Sequence, residues 1–162
     1  MGKDIKMKDE LIRFKYRVAG IVEYENKVLI VKMNKNDFFC FPGGHVELME
    51  TSLDALKREL KEELYFDVKI KELFCINENF FYSDIRHKNY HELCFYYLCE
   101  PSDENFVFED RIIEENDKNS IVYHNFKWVE KNKLIGYNIK PEVILDNYLK
   151  NSKFLHLITK WK

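Results

Sequence analysis

The chain has 162 residues, of which 46% are hydrophobic and 15% aromatic, and a chain of this size buries about two-thirds of its unfolded surface. We therefore predict one domain over residues 1–162, with an N-terminal extension over residues 1–12. The formal net charge of −2 argues against a protein that coats nucleic acid or a membrane surface. No uncharged run approaches the roughly 18 residues of a membrane span, and the charged first residues lack a signal-peptide core, so we expect a cytoplasmic protein without a membrane segment.

The first predicted elements are two strands over residues 17–24 and 27–32, which are rich in β-branched residues and flank the pair Glu25-Asn26. Such runs on either side of a two-residue turn predict a buried hairpin. A short aromatic run over residues 38–41 follows, and it stops at Pro42-Gly43-Gly44. A helix from about Thr51 to Leu64 comes next.

More strands are predicted after this helix. Residues 66–77, 79–83 and 91–99 are rich in aromatic and β-branched residues, as strands are. A polar turn over residues 84–89 joins the last two of these runs.

The remainder of the chain predicts a loop, a strand and a helix. Residues 100–117 carry eight acids against the single Arg111, a composition that predicts a long solvated loop. Residues 125–129 resemble another strand, and a helix begins at Pro141 and continues to about Lys150. This order of elements predicts a mixed α/β fold.

The cysteines indicate reduced core residues rather than a metal or redox site. They stand in apolar or aromatic surroundings, and no two have the Cys-x-x-Cys spacing. The four are Cys40, Cys75, Cys94 and Cys99.

The helix over residues 51–64 has a polar start and an apolar stripe. Thr51 with Asp54 three residues later resembles a capping box, and Ser52 is an alternative cap. An α-helix turns by about 100° per residue, and at this rotation four leucines fall within a narrow arc of its surface. This apolar stripe predicts packing against the sheet. The four leucines are Leu53, Leu56, Leu60 and Leu64.

Three glutamates cluster along one flank of that stripe, namely Glu59, Glu62 and Glu63, whereas the helical lysines lie on the other flank. Like charges at this spacing repel by a few tenths of a kcal/mol, and carboxylates are the preferred ligands of magnesium. Taken alone, the pattern is more often an ordinary solvated helix face. The context of the pattern decides between these interpretations.

That context resembles the Nudix hydrolase family, whose signature is G-x5-E-x7-R-E-U-x-E-E-x-G-U, with U a bulky aliphatic residue. A chance match of this length is expected about once in a million. The sequence departs from the signature at Tyr65, in place of a helix-ending glycine, and at Phe66, and Met49 stands where many members have a second glycine. The matching residues are Gly44, Glu50, Arg58, Glu59, Leu60, Glu62 and Glu63.

The resemblance implies a Nudix box over residues 43–66 in an α/β/α sandwich with a mixed β-sheet. It implies hydrolysis of a diphosphate linkage in a nucleoside diphosphate derivative or a nucleoside triphosphate, with Mg²⁺ as cofactor and Mn²⁺ as a substitute. Catalytic roles then fall to Glu59, Arg58 and Glu62. The metal ligands would be Glu59, Glu62 and Glu63 with a backbone carbonyl of Gly43 or Gly44, and Glu50 would support the loop or complete the metal shell.

The general base has two possible sources in such a protein. Glu59 is preferred, and the alternative is an acid of the 100–117 segment. The candidates there are Glu104, Glu109, Glu114 and Glu115.

Substrate recognition is less well defined by the sequence. Arg86 and Tyr82, in or beside the predicted turn, and Glu109 are candidate contacts to a small nucleotide-like substrate. No extended nucleic acid is expected, and the sequence leaves open whether the protein forms a homodimer. The alternative function is a Nudix-fold module that binds a nucleotide without cleaving it.

Overall fold

The computed structural model describes residues 5–8, 10–64, 66–84, 86–102, 106, 109–117 and 120–160. The α-helices within these residues are α1 (Ser52–Leu64) and α2 (Glu142–Leu149), and a 3-10 helix spans Lys131–Gly136. The described strands are β1 (Lys6–Lys8), β2 (Ile12–Tyr24), β3 (Lys27–Met33), β4 (Gly43–His45), β5 (Val68–Ser83), β6 (Lys88–Pro101), β7 (Arg111–Asp117), β8 (Ser120–Glu130) and β9 (Leu155–Lys160).

These strands belong to one mixed sheet, whose order is β7-β8-β3-β2-β6-β5-β9. Strand β2 is central to it. One edge of β2 pairs in parallel with β6, and the other edge pairs in turn with β1, β4 and β3. Strand β9 adds a second parallel pair, with β5.

The predicted hairpin of β2 and β3 is present, and it opens immediately. Glu25 and Asn26 take φ angles of 46° and 64°, and positive φ at both central residues is the backbone of a tight hairpin turn. Only the first two residues of β3 pair with β2, whereas β8 pairs with the other edge of β3 along its whole length. Strand β4 fills the gap beside β2, where Gly44 pairs with Val18. The opening of the hairpin therefore places the glycine loop against the centre of the sheet.

The helices pack on opposite faces of the sheet. Val18 of β2 lies in one buried cluster with Leu56 of α1, and the next residue, Ala19, lies in the other cluster with Ile144 of α2. Adjacent residues of a strand point to opposite faces, so one helix covers each face. The predicted α/β/α sandwich around a mixed sheet is confirmed.

Strand pairing changes several predicted boundaries. The runs over residues 66–77 and 79–83 form the single strand β5, which pairs with β6 from Val68 to Ser83. Residues 111–117, predicted as part of a loop, form β7 and pair with β8, which begins at Ser120 rather than at residue 125. The hydrogen-bonded partner strand satisfies the backbone groups of an acidic segment that has no strand signal of its own. Strands β1, β4 and β9 have no counterpart among the predicted elements.

The described cysteines and helices agree with the remaining expectations of the sequence. All four cysteines are unpaired thiols, three of them buried and Cys40 partly buried. Within the described part of the chain, no helix is long and apolar enough to cross a membrane. The cytoplasmic location stays a prediction.

Candidate functional site

Helix α1 begins as its sequence predicts. The hydroxyl of Thr51 accepts the backbone N–H of Asp54 at 3.1 Å and donates to the Asp54 carboxylate at 2.7 Å. Ser52, the alternative cap, instead bonds the hydroxyl of Tyr97 at 2.7 Å. The first turn is therefore capped by Thr51 and tied to strand β6 by Ser52.

Three of the four leucines hold α1 to the sheet. Leu56 and Leu60 are fully buried, and Leu64 is 3% exposed. Leu53 departs from the predicted stripe, since it is 44% exposed and lines an open cleft between α1 and β5. Fully buried Ala55 contributes to the core in the same turn.

Arg58 is the centre of a network that fixes the acids. Its Nε and Nη2 each donate to Glu50 at 2.8 Å, forming a bidentate pair. Its Nη1 donates to Oε1 of Glu59 at 2.9 Å and lies 3.8 Å from the Glu62 carboxylate. Nη2 also donates to the carbonyl of His45 at 3.0 Å, which joins α1 to β4. Such charge-assisted bonds are roughly twice as strong as neutral ones.

The Glu50 carboxylate is fully engaged by the loop. Besides Arg58, it accepts the backbone N–H of Glu47 at 3.0 Å, and the bonds from Arg58 lower the pKa of Glu50. Its neighbour Met49 is fully exposed and takes a φ of 66°. This left-handed conformation gives a physical reason for the glycine found here in many family members. The loop thus keeps a tight turn without that glycine.

Glu59 lies directly over Gly44. A β-carbon on residue 44 would overlap the Glu59 carboxyl, so glycine leaves the space that this acid occupies. At Gly43, which has a φ of 153°, a β-carbon would overlap the backbone of β2 at Val18. Burial raises the pKa of Glu59, and its bond to Arg58 acts in the opposite direction.

Glu63 is the more deeply buried acid. Burial, and after it the charge of Glu59, raises the pKa of Glu63 to about 8. Its Oε2 is buried without a hydrogen-bond partner, and an unsatisfied buried group costs about 1–3 kcal/mol, or more when charged. A proton or a cation therefore completes this position.

The glutamates have the chemistry of a magnesium site. Glu59 and Glu63 are desolvated carboxylates, one of them with an unpartnered oxygen, and Mg²⁺ is held by a few carboxylates with water and phosphate oxygens. Among the residues that the structure describes, no three His, Cys, Asp or Glu side chains already converge on one point. Glu59 is bonded to Arg58, and the Glu62 side chain is 62% exposed. The donor set fits the ion, and the ion itself stays a prediction.

The structure does not bring two predicted substrate residues to the box. Tyr82 and Arg86 are exposed at the far end of the β5–β6 hairpin. Tyr82 pairs with Asn89, which lies beside Ile12 of β2. Arg17, the β2 residue next to β4, is five residues further along, a distance of about 17 Å at about 3.3 Å per residue.

One of the predicted loop acids, Glu115, lies close enough to the box for its charge to affect Glu63. The charge of Glu115 contributes to the raised pKa of Glu63, and its carboxylate bonds Nε2 of His124 at 2.9 Å. The Glu115 side chain is itself 65% exposed. Glu109 and Glu114 are exposed as well, and Glu104 is not among the residues described.

Arg111 contacts the end of the box helix, and the sequence did not single it out. Its Nη1 donates to the carbonyl of Leu64 at 2.7 Å, and its Nη2 lies 3.7 Å from Glu109. A cationic side chain at the C-terminus of a helix can donate hydrogen bonds to the last carbonyls, and its charge interacts favourably with the helix dipole. Tyr65, where the family has its glycine, lies outside the described residues. Arg111 therefore supports the end of the helix that the signature assigns to glycine.

Arg17 is a second residue that the sequence did not single out. Its Nη1 lies 3.6 Å from Glu92, a carboxylate on β6. Its charge lowers the pKa of both Glu59 and Glu63, against the effect of their burial. Arg17 directly precedes the apolar run over residues 18–22, and this position is the signal that the sequence contains.

Fold and box together define the Nudix class, and the family comparison agrees. The chain belongs to the Nudix family, since a NUDIX domain model matches residues 14–146. Its similarity to a solved NUDIX hydrolase of Nitrosomonas europaea has a TM-score of 0.63 at 22% identity and covers 90% of this chain and 79% of that one. At this identity the likeness shows the fold alone.

Two curated relatives match over part of their length. The chain is 46% identical over 59 residues to an ADP-ribose pyrophosphatase of Methanocaldococcus jannaschii, which is 35% of each protein. It is 30% identical over 149 residues to an m7GpppN-mRNA hydrolase of Saccharomyces cerevisiae, which is 87% of this chain and 14% of that protein. The matched region is well under half the length of either relative.

Proposed function

We propose that this protein hydrolyses a diphosphate linkage in a nucleoside diphosphate derivative or a nucleoside triphosphate, with Mg²⁺ as cofactor and Mn²⁺ as a substitute. One observation carries the proposal: α1 holds two desolvated carboxylates, Glu59 and Glu63, beside Arg58, with a Glu63 oxygen that lacks a partner. Membership of the Nudix family supports it.

The residues of the box divide into those that bind and those that position. Glu59, Glu62 and Glu63, with a backbone carbonyl of Gly43 or Gly44, would hold the ion, and bound Mg²⁺ supplies positive charge at the phosphate oxygens and lowers the pKa of bound water. Arg58 positions Glu59, and Glu50 positions Arg58. The acids are thus held in place before substrate binds, which lowers the entropic cost of reaching the reactive geometry.

Glu59 is our candidate for the general base that activates the water. It lies at the floor of the site over Gly44, and burial raises its pKa toward the range in which a carboxylate accepts a proton effectively. Glu115 is the competing base, because its charge acts on Glu63. If Glu59 is the base, Glu115→Gln retains kcat within about tenfold, whereas a larger loss in that variant would move the role to β7.

The relatives indicate two substrate classes to compare. The archaeal relative is named for ADP-ribose, a nucleoside diphosphate derivative, and the yeast relative for capped mRNA. With a net charge of −2, the chain has no overall positive charge to neutralise a long phosphate backbone. We therefore favour a small nucleotide as the substrate. We also propose that the protein is cytoplasmic, and gel filtration would test whether it forms a homodimer.

The test is a hydrolysis screen with and without Mg²⁺. The panel contains ADP-ribose, dinucleoside polyphosphates, NADH, nucleotide sugars, canonical and oxidised nucleoside triphosphates, and a short capped RNA. Metal-dependent release of product from a small nucleotide is the expected result, and the identity of the product shows which bond is cut. Nucleotide-dependent thermal stabilisation without turnover across the panel would contradict the proposal and support the binding module.

A further inference from the structure

A buried polar surface lies on the face of the sheet that packs against α2. The strand register places Arg17 of β2 beside Cys94 of β6, and Cys94 beside Asn77 of β5. Laterally paired residues point to the same face, and neighbouring strands are about 4.8 Å apart. Arg17 and Asn77 are therefore about 10 Å apart at their Cα atoms, on either side of the small Cys94 side chain.

Two hydrogen-bond donors on this surface are buried without a partner: Nε of Arg17 and Nδ2 of Asn77. Asn77 is fully buried. Its Oδ1 lies 3.3 Å from the hydroxyl of Thr159, while its amide nitrogen has no acceptor. Buried polar groups in native proteins are nearly always satisfied, so an orphaned donor needs a specific explanation.

Asn79, on the same strand, has no buried side-chain atom that lacks a hydrogen-bond partner. It faces the same side two residues along β5 and is 4% exposed. Its Oδ1 accepts the Thr159 hydroxyl at 2.7 Å, a bond that links β5 to β9. Both asparagines accept the Thr159 hydroxyl, and they differ in the amide nitrogen, which is buried without a partner only in Asn77. This contrast suggests that the Asn77 donor has another role.

Arg17 connects this surface to the acids of α1. Its backbone pairs with His45 of β4, next to Gly44, over which the Glu59 carboxylate lies, and its charge acts on Glu59 and Glu63. A diphosphate held at those acids would therefore lie close to Arg17. Asn77 lies two strands further from β4 across the sheet. The group attached to the diphosphate would then extend from Arg17 toward Asn77.

We propose that Asn77 is a specificity-determining residue whose amide nitrogen binds an acceptor atom of the nucleobase of the substrate, a carbonyl oxygen or a ring nitrogen. Arg17 lies at the end of this subsite nearest the diphosphate. The inference rests on the proposed function, because it assigns the recognition of the substrate to the same site.

The test compares Asn77→Leu with the matched control Asn79→Leu. Leucine has the same number and branching of side-chain heavy atoms as asparagine but can neither donate nor accept a hydrogen bond. We expect Asn77→Leu to lower the melting temperature less than Asn79→Leu does, because it loses the longer bond to Thr159, 3.3 Å against 2.7 Å, and removes an unsatisfied buried donor. We expect it to raise Kd and KM for the preferred nucleotide at least tenfold with a smaller change in kcat. Asn79→Leu breaks the bond to Thr159, so it should lower the melting temperature by several degrees and leave Kd unchanged in the folded fraction.

Binding is measured by isothermal titration calorimetry with ADP, GDP and UDP, with and without Mg²⁺, so that the result does not depend on turnover. Loss of nucleotide affinity in Asn77→Leu alone supports the subsite, even in a protein that hydrolyses nothing, in which case only the proposed function fails. Wild-type affinity in Asn77→Leu, or no binding of any of these nucleotides to the wild type, overturns the inference. If Asn77→Leu does not fold, Asn77→Ser is measured in its place against the same expectations.

Discussion

The carboxylate of Glu59 occupies the space directly over the Cα of Gly44, where any side chain at position 44 would stand. This contact joins the glycine loop to α1. Arg58 bonds the same carboxylate at 2.9 Å from the side. The position of the proposed base therefore depends on a missing β-carbon as well as on an ion pair.

Gly44→Ala should reduce activity without unfolding the protein. The added methyl group meets the end of a flexible side chain, so Glu59 moves aside at little cost in stability. Because displacements of about 1 Å at a catalytic group cost up to about a hundredfold in rate, we expect kcat/KM to fall at least about tenfold. Gly136→Ala is the matched control, since nothing lies within 4 Å of a β-carbon there. Wild-type turnover by Gly44→Ala would show that the position of Glu59 is not critical.

Glu63 should make the metal-free protein less stable as pH rises. Its pKa is about 8 in the folded protein against 4.5 ordinarily, so the folded state binds the extra proton between these values. Its contribution is fully present below about pH 4.5 and is lost toward about pH 8, by up to about 1.4 kcal/mol per pH unit. Urea unfolding in EDTA at several pH values measures this slope.

Two variants test whether the pH dependence of stability comes from Glu63 or from another acid. Glu63→Gln should flatten the slope, whereas Glu62→Gln should retain it because Glu63 is still present. Added Mg²⁺ should restore stability near pH 8, since a metal ion binds the deprotonated carboxylate. An unchanged slope in Glu63→Gln would assign the titration to another group.

Arg111→Gln should weaken the end of α1. The substitution removes a cation and a 2.7 Å bond from the Leu64 carbonyl, which we expect to cost about 1 kcal/mol. Activity should fall severalfold as well, because Glu62 and Glu63 lie in this last turn. Thermal unfolding and kcat/KM of the variant measure both effects.

Arg86→Gln is the control for that variant, since it removes an exposed arginine far from α1. We expect a change in stability within about 0.5 kcal/mol. A raised KM in Arg86→Gln would support its predicted contact with substrate. Equal losses of stability in the two variants would remove the special role of Arg111.

Met49→Gly should stabilise the protein. Met49 is fully exposed with a φ of 66°, and a left-handed conformation costs a residue with a β-carbon about 1–2 kcal/mol. We expect a net gain of about 1 kcal/mol in the free energy of unfolding, measured by urea denaturation. Leu48→Gly, at the exposed neighbour, should instead lose stability through chain entropy. A loss in Met49→Gly would mean that the turn is not strained.

The sequence predicts well those parts of the site that depend on local spacing. Helix α1, its Thr51 cap and the acidic flank follow from periods of three and four residues, and the hairpin at Glu25-Asn26 follows from two neighbouring strand signals. Residues brought in by distant strand pairing give no such signal. Arg111 reaches Leu64 only because an acidic segment pairs as β7 with β8.

The same limit applies to substrate recognition. Tyr82 and Arg86 stand in a polar turn, where sequence patterns favour exposed charge, but the β5–β6 register carries that turn away from the box. Asn77 lies in a strand and has no motif of its own. Its unpartnered amide nitrogen is visible only when β2, β5, β6 and β9 are assembled.

The most direct measurement of the central claim is Mg²⁺-dependent hydrolysis by Glu59→Gln on the best substrate of the screen. Glutamine keeps the size of the side chain and its contact with Gly44 but removes the charge that binds metal or accepts a proton. With Glu72→Gln, an exposed acid on β5, as the control, we expect kcat to fall at least about a hundredfold only in Glu59→Gln. Full activity in Glu59→Gln at saturating Mg²⁺ would contradict the account.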